Sequence, residues 1–248
     1  MSNFLENGVA VAVVALVVLL SPGSARAELT FNARLCSAAD PCNVGFGPHG
    51  TGSPPSLTNQ DFIDFFNSTG DFNFPPDSTF AFGITAVSAD GTAIGEVCCG
   101  PISAFDTQFI FESGSLTCCV LDTPYVLNDI NNHDLIVGGE GGLGFDGPLG
   151  LAFIATGGCQ EAACEIPYAL TPSATTFFAA QFPFGVPDDF EFLAIDNNDR
   201  ILAGGFGHGF YELDPLPEPA TLALFGAGLV GVTVVRRKHN KKALPARL

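Results

Sequence analysis

Asp129-Ile130-Asn131-Asn132-His133-Asp134-Leu135-Ile136-Val137-Gly138 places four polar residues between two apolar flanks. It reads as strand, tight turn, strand, because Asn, Asp and Gly accept the left-handed backbone that a short hairpin needs. The same pattern stands at Ala86-Val87-Ser88-Ala89-Asp90-Gly91-Thr92-Ala93-Ile94-Gly95 and at Ile195-Asp196-Asn197-Asn198-Asp199-Arg200-Ile201-Leu202-Ala203-Gly204, at offsets of 43 and 66 residues. Each copy ends on a glycine. Outward from these hairpins, runs rich in Phe, Val, Ile and Thr at 80–87, 109–112, 116–120, 125–130, 151–156, 175–182 and 190–195 are separated by Gly, Pro, Asn and Asp. That spacing predicts strands and turns, hence an all-β fold of irregular hairpin repeats. A loop is expected over 45–56, and one short helix over Asp61-Phe62-Ile63-Asp64-Phe65-Phe66.

The chain has 248 residues, 47% of them hydrophobic, with 26 acidic against 9 basic side chains. Such apolar content excludes an intrinsically disordered chain. The shortage of Lys and Arg argues against nucleic acid as a partner, since a phosphate backbone is neutralised by those residues. Charge is also segregated. Between residues 28 and 219 the only cations are Arg34 and Arg200, whereas Arg236, Arg237, Lys238, Lys241, Lys242 and Arg247 crowd the end.

Two apolar runs bracket this acidic middle. Residues 9–20 are all apolar and are followed by Ser21-Pro22-Gly23 and by Ala25-Arg26-Ala27. They read as a secretory signal over 1–27 with cleavage after Ala27, which makes the Sec translocon and a signal peptidase expected partners. Glu6 stands where a basic residue is usual, so an uncleaved anchor is the alternative. Residues 220–235 carry no charge and stop at Arg236-Arg237-Lys238. At ~1.5 Å per residue they span roughly 24 Å, enough for a C-terminal transmembrane helix if the flanks lie in the headgroup zone. The basic cluster then acts as a cytoplasmic stop.

Leu216-Pro217-Glu218-Pro219-Ala220-Thr221-Leu222, the Gly-containing apolar run and the basic cluster together resemble the PEP-CTERM sorting signal of Gram-negative bacteria. The resemblance covers 216–242, leaving 28–215 as the exported all-β domain and 243–248 as a C-terminal extension. It implies recognition at Pro217, Glu218 and Pro219 by an exosortase-type membrane protease, transient anchoring in the inner membrane, and delivery to the cell surface or extracellular matrix. Exopolysaccharide is the partner expected there. A plain C-terminal anchor is the alternative. The hairpins in turn resemble HAF-type extracellular repeats, in which a His-x-Phe strand follows each copy, as His208-Gly209-Phe210 does here. Repeats of this length suggest propeller-like blades, with a β-sandwich as the rival architecture.

All eight cysteines lie between the two apolar runs, an even count suited to disulfides in an oxidising compartment. Cys36 with Cys42 and Cys159 with Cys164 are close enough to close small loops. Antiparallel pairing would bridge Cys98 to Cys119 and Cys99 to Cys118, on opposite faces. A zinc site lacks the Cys-x-x-Cys spacing, so no metal centre is expected from the thiols. Asp129, Asn131 and Asp134, and Asp188, Asp189, Glu191, Asp196 and Asp199, offer oxygens that would suit Ca²⁺. His133 and Arg200 stand where a further oxygen would be wanted, so these read first as hairpin turns and no cofactor is assigned. No catalytic residue is nominated, and the chain is read as a non-enzyme. His49, His133 and His208 have no nucleophile motif beside them, and Asp188 with Asp189 alone do not make a glycosidase. The expected function is structural or adhesive in the exopolysaccharide or biofilm envelope, with a carbohydrate- or calcium-binding module, or less readily a matrix hydrolase, as alternatives.

Overall fold

The computed structural model describes residues 29–70, 72–98, 106–119, 125–140, 149, 152–156 and 166–217. The signal segment with Ala27, most of the sorting segment with Glu218, Pro219, Arg236, Arg237 and Lys238, and Cys99, Cys159 and Cys164 lie outside these residues. Among the described residues no helix is long and apolar enough to cross a membrane.

The protein is mostly β-sheet. The strands are β1 (Leu29–Leu35), β2 (Ala81–Val87), β3 (Ala93–Cys98), β4 (Asp106–Glu112), β5 (Ser115–Cys119), β6 (Tyr125–Ile130), β7 (Leu135–Glu140), β8 (Ala152–Thr156), β9 (Tyr168–Leu170), β10 (Glu191–Ile195), β11 (Ile201–Gly205) and β12 (Gly209–Pro215). They form three sheets, ordered β2-β3-β4-β5, β6-β7-β8 and β10-β11-β12-β1-β9. Each sheet is founded on one of the three hairpins, extended by an antiparallel third strand.

The hairpins agree in detail. Register slips between Ile84 and Ala86, between Leu127 and Asp129, and between Phe192 and Ala194 put the same bulge in each first strand, displaced by 43 residues (84 to 127) and then 65 (127 to 192). Each turn closes with the same pair of bonds: Ser88 N–H to Thr92 O and Gly91 N–H to Ser88 O, then Asn131 to Leu135 and Asp134 to Asn131, then Asp196 to Arg200 and Asp199 to Asp196. The third turn residue has positive φ in every copy, 98° at Gly91 and 60° at both Asp134 and Asp199. This is a turn ending in a left-handed residue, which Gly tolerates best and Asp tolerates better than most.

The second offset is therefore 65, and the expected 66 is corrected by one residue. Asp196, not Asn197, stands where Asn131 does. The slip moves the terminal glycine too: Gly95 and Gly138 are equivalent, but their counterpart in the third copy is Ala203. A Cβ on Gly138 would stand 1.9 Å from Val126 O, and one on Gly95 2.2 Å from Gly83 O. The side-chain face is blocked by the neighbouring backbone. Gly138→Ala is expected to destabilise the fold by about 1–3 kcal/mol, since backbone must shift to admit a methyl; urea denaturation of purified protein measures it.

The middle sheet is covered on both faces, which explains why its strands read as continuous apolar runs instead of alternating. Ile136 packs toward Ala86, Ile94 and Ile110 of the first sheet. Its neighbours Leu135 and Val137 pack toward Phe192, Ile195 and Ile201 of the third. Each such buried side chain contributes about 1.5–3 kcal/mol of transfer free energy.

Helix α1 (Asn59–Thr69) contains the expected helical segment and runs longer at both ends. The Asp61 carboxylate accepts from the Thr58 N–H and hydroxyl at 2.7 Å each, and Gly70 ends the helix at φ 82°. Phe62, Ile63 and Phe66 cover Phe74, Phe80, Val97 and Phe109. Helix α2 (Pro172–Gln181) overturns the strand expected at 175–182. Thr171 caps it by accepting from the Ala174 N–H at 3.1 Å, Pro172 opens its first turn, and the hydroxyls of Thr175 and Thr176 donate back to Thr171 O and Pro172 O. Capping outweighs the strand preference of the two threonines.

Strand β1 binds both ends of the folded body together. It pairs antiparallel with β12, Arg34 opposite Glu212, and parallel with β9, Leu29 opposite Tyr168. Beyond β12, Leu216 N–H donates to Thr30 O at 2.8 Å.

Candidate functional site

The polar residues singled out in the turns gather along one edge, where the second and third hairpins meet the 49–52 loop. Asp129 sits just past the β6 bulge and is 1% exposed. Its carboxylate accepts from His49 N–H at 3.2 Å, His49 Nδ1 at 2.7 Å, Ile130 N–H at 2.9 Å and Ile195 N–H at 3.0 Å. One buried side chain thus joins the second sheet, the third sheet and the loop.

Asn131 and Asp196, equivalent in their turns, both fold back on their own backbone. Asn131 Oδ1 accepts from His133 N–H and Leu135 N–H at 2.9 and 3.1 Å; Asp196 Oδ1 accepts from Asn198 N–H and Arg200 N–H at 2.9 and 3.0 Å. Across the seam, Asn131 Nδ2 donates to Asp196 O and to Asp199 Oδ1, and His133 Nδ1 lies 2.8 Å from the same Asp199 oxygen. Asn132 and Asn197 complete the weave through Asn197 Oδ1, Thr51 and His49 O.

The oxygens of Asp129, Asn131, Asp196 and Asp199 that resembled calcium ligands are engaged by protein donors, as is one oxygen each of Asp189 and Glu191. Arg200 Nε and Nη2 approach Asp196 Oδ2 at 2.8 and 2.6 Å, where a cation would otherwise sit. Burial pushes the Asp196 carboxyl up, but the bonds from Arg200 and Asn198 outweigh it and hold the group below its usual range. Asp189 Oδ2 accepts from Phe206 N–H at 2.7 Å, while His208 Nε2 stands 3.8 Å from Asp189 Oδ1. The arrangement orders turns. Sequence reasoning named these residues but not this division of labour, because the partners that join the hairpins, His49 with Asp129 and Asn131 with Asp199, are distant in the chain.

A second construction lies at the far end of β12. Cys36 and Cys42 form a disulfide with Cα atoms 5.2 Å apart. The loop they close is anchored by Glu212, a fully buried side chain that accepts from Asn43 N–H, Asn43 Nδ2 and Val44 N–H and pairs with Arg34 Nη2 at 3.1 Å. This holds Phe46 edge-on to Phe210, ring centres 5.0 Å apart, with Phe206 almost fully exposed on the neighbouring turn. The signal available in sequence was the Cys36–Cys42 spacing alone. Strand β4 lies between β3 and β5, so Cys98 stands opposite Asp106 while Cys118 and Cys119 stand opposite Ile110 and Phe109. The direct neighbouring of β3 and β5 that a 98–119 bridge was expected to use does not occur.

The sorting segment begins at the end of β12. Leu216 is fixed by Thr30, and Pro217 is the last described residue. A family model, the PEP-CTERM protein-sorting motif, matches residues 215–238. No curated protein and no solved structure matches the chain.

Proposed function

We propose that this chain, an exported protein bearing the PEP-CTERM sorting signal and thereby directed to exosortase, serves as a non-enzymatic structural or adhesive component of the exopolysaccharide envelope. The observation that carries the reading is the position of the sorting motif, which starts at the last residue of β12 with no intervening linker. The handle follows directly on the last strand of the β-body, as suits a protein delivered folded to a surface. A strong acidic excess keeps such a body soluble among acidic polymers. The Cys36–Cys42 bridge fits an oxidising destination. The repeated hairpins support a propeller-like stack of HAF type. The Sec translocon, signal peptidase and, at the surface, exopolysaccharide are the remaining partners of this reading.

Replacing Pro217, Glu218 and Pro219 together by Ala tests it in cells. The expected result is full-length protein retained in the inner membrane and lost from the surface fraction. Undiminished surface delivery of the triple variant overturns the sorting role, and release of sugar products from any matrix polysaccharide overturns the non-enzymatic one.

A carbohydrate-binding module is the second reading, favoured by Phe46, Phe206 and Phe210, whose exposed rings are held by a bridged loop and a hairpin turn. Glycan-array binding that disappears in Phe46→Ala supports it; an array without signal removes it.

A further inference from the structure

The two seams between successive hairpins are built from equivalent positions but not from equivalent chemistry. Between the second and third hairpins, the left-handed Asp199 receives Asn131 Nδ2 at 2.7 Å and His133 Nδ1 at 2.8 Å. Moving back 43 residues along the first offset, Asn131 and His133 become Ser88 and Asp90, and the residue that reaches back to them is Asp134. By this equivalence the place of the histidine–carboxylate contact in one seam is taken in the other by two carboxyls, Asp90 and Asp134, each of which acts on the other. Ser88 Oγ donates to Asp90 Oδ1, which also accepts from Thr92 N–H at 3.1 Å. Asp134 Oδ1 is left buried with no hydrogen-bond partner.

We propose that Asp90 and Asp134 hold one proton between them, so that the seam between the first two hairpins tightens in acid and loosens toward neutral pH. A proton taken from solvent onto the Asp134 carboxyl turns it into a donor to the Asp90 carboxylate, and two like charges become a hydrogen bond. The environments of the two groups set which one carries it. Burial, and after it the neighbouring Asp90, push Asp134 up from its ordinary value against the opposing hydroxyls of Ser88 and Thr92, while bonds from Ser88 and Thr92 outweigh burial and hold Asp90 down. Because the folded chain binds the Asp134 proton more tightly than the unfolded chain does, stability rises as pH falls through the raised Asp134 value. It falls again as pH drops from the ordinary carboxyl range through the depressed Asp90 value. Other charged groups near the seams face elsewhere: His49 meets Asp129, His133 meets Asp199, and Arg200 meets Asp196.

The test uses the intact chain, purified in detergent with a chelator present. Infrared spectra of the wild type should show a protonated-carboxyl stretch that persists above the pH at which ordinary carboxyls have ionised, and this band should vanish in Asp134→Asn. Thermal midpoints from about pH 8 down to about pH 4 should rise before they fall in the wild type. In Asp134→Asn the midpoint near neutral pH should stand higher than wild type by about 2–4 °C, with the acid-side rise gone. A wild type without the persistent band, or an Asp134→Asn curve that runs parallel to wild type at every pH, overturns the proposal. So does a midpoint that millimolar Ca²⁺ raises in the wild type but not in the variant, since a cation and not a proton would then fill the gap. If Asp134→Asn fails to fold, Asp90→Asn serves in its place, since an amide beside Asp134 should also abolish the band.

Discussion

Asp129→Ala is expected to lower the unfolding free energy by about 3 kcal/mol or more, because it strands buried donors that each cost about 1–3 kcal/mol when left unpaired. Four N–H groups converge on this carboxylate, and the Ile195 N–H and the His49 ring come from different elements, which Asn197 alone among the exposed turn residues named above also joins. The loss should be cooperative: the 49–52 loop detaches, Asn197 loses the ordered His49 carbonyl, and the seam between the second and third sheets opens. Urea denaturation gives the magnitude, and amide exchange gives the pattern, with Ile195 and the loop losing protection before the β2–β3 hairpin does. A change within about 0.5 kcal/mol, typical of ordinary surface positions, would show that Asp129 does not hold the sheets together.

Glu212→Ala should cost about 3 kcal/mol, because the backbone donors it leaves unpaired each cost about 1–3 kcal/mol. Arg34 would keep Asp40, 3.0 Å away, but the backbone N–H groups of Asn43 and Val44 would lose their acceptor. The cystine loop should then come away from β12, exposing residues 36–46 to proteolysis although the disulfide stays intact. The pH dependence has a definite sign. Burial pushes the Glu212 carboxyl up, but Asn43, Arg34 and Val44 together hold it below its usual range. A depressed folded value contributes stability that is present above the unfolded value and is lost as pH falls through the folded one. Glu212→Gln should therefore flatten the acid limb of the stability curve while keeping the shape of the site. Asp134 acts with the opposite sign, so the two variants can be told apart by pH alone.

The all-β class and the three hairpins were legible because their signals are local: a polar quartet between apolar flanks, with a left-handed residue at a fixed place. The 66-residue offset matched the paired asparagines 131-132 and 197-198 as letters, whereas the turn is anchored by the side chain that accepts two backbone N–H groups, and Asp196 fills that role as Asn131 does. Helix α2 carried its signal in the open, Thr171 followed by Pro172, but Thr175, Thr176 and the two phenylalanines after them weighed more when read as a composition. Strand β1 alternates cleanly, Leu29, Phe31, Ala33 and Leu35 against Thr30, Asn32 and Arg34, yet it directly adjoins the export segment and was overlooked. The polar core of the site was never legible. His49 meets Asp129 across 80 residues, and Asn131 meets Asp199 across 68.

The clasp between β1 and β12 also imposes an order of events. A chain that leaves the cytoplasm amino end first delivers β1 early, yet β9 follows only after seven further strands and β12 comes last of those described. Until then the leading strand waits with unpaired edges, and the third sheet lacks its centre. Completion coincides with the emergence of Leu216, whose N–H makes the final bond to Thr30. The tail that delays departure from the bilayer therefore gives the body time to shut before it is let go.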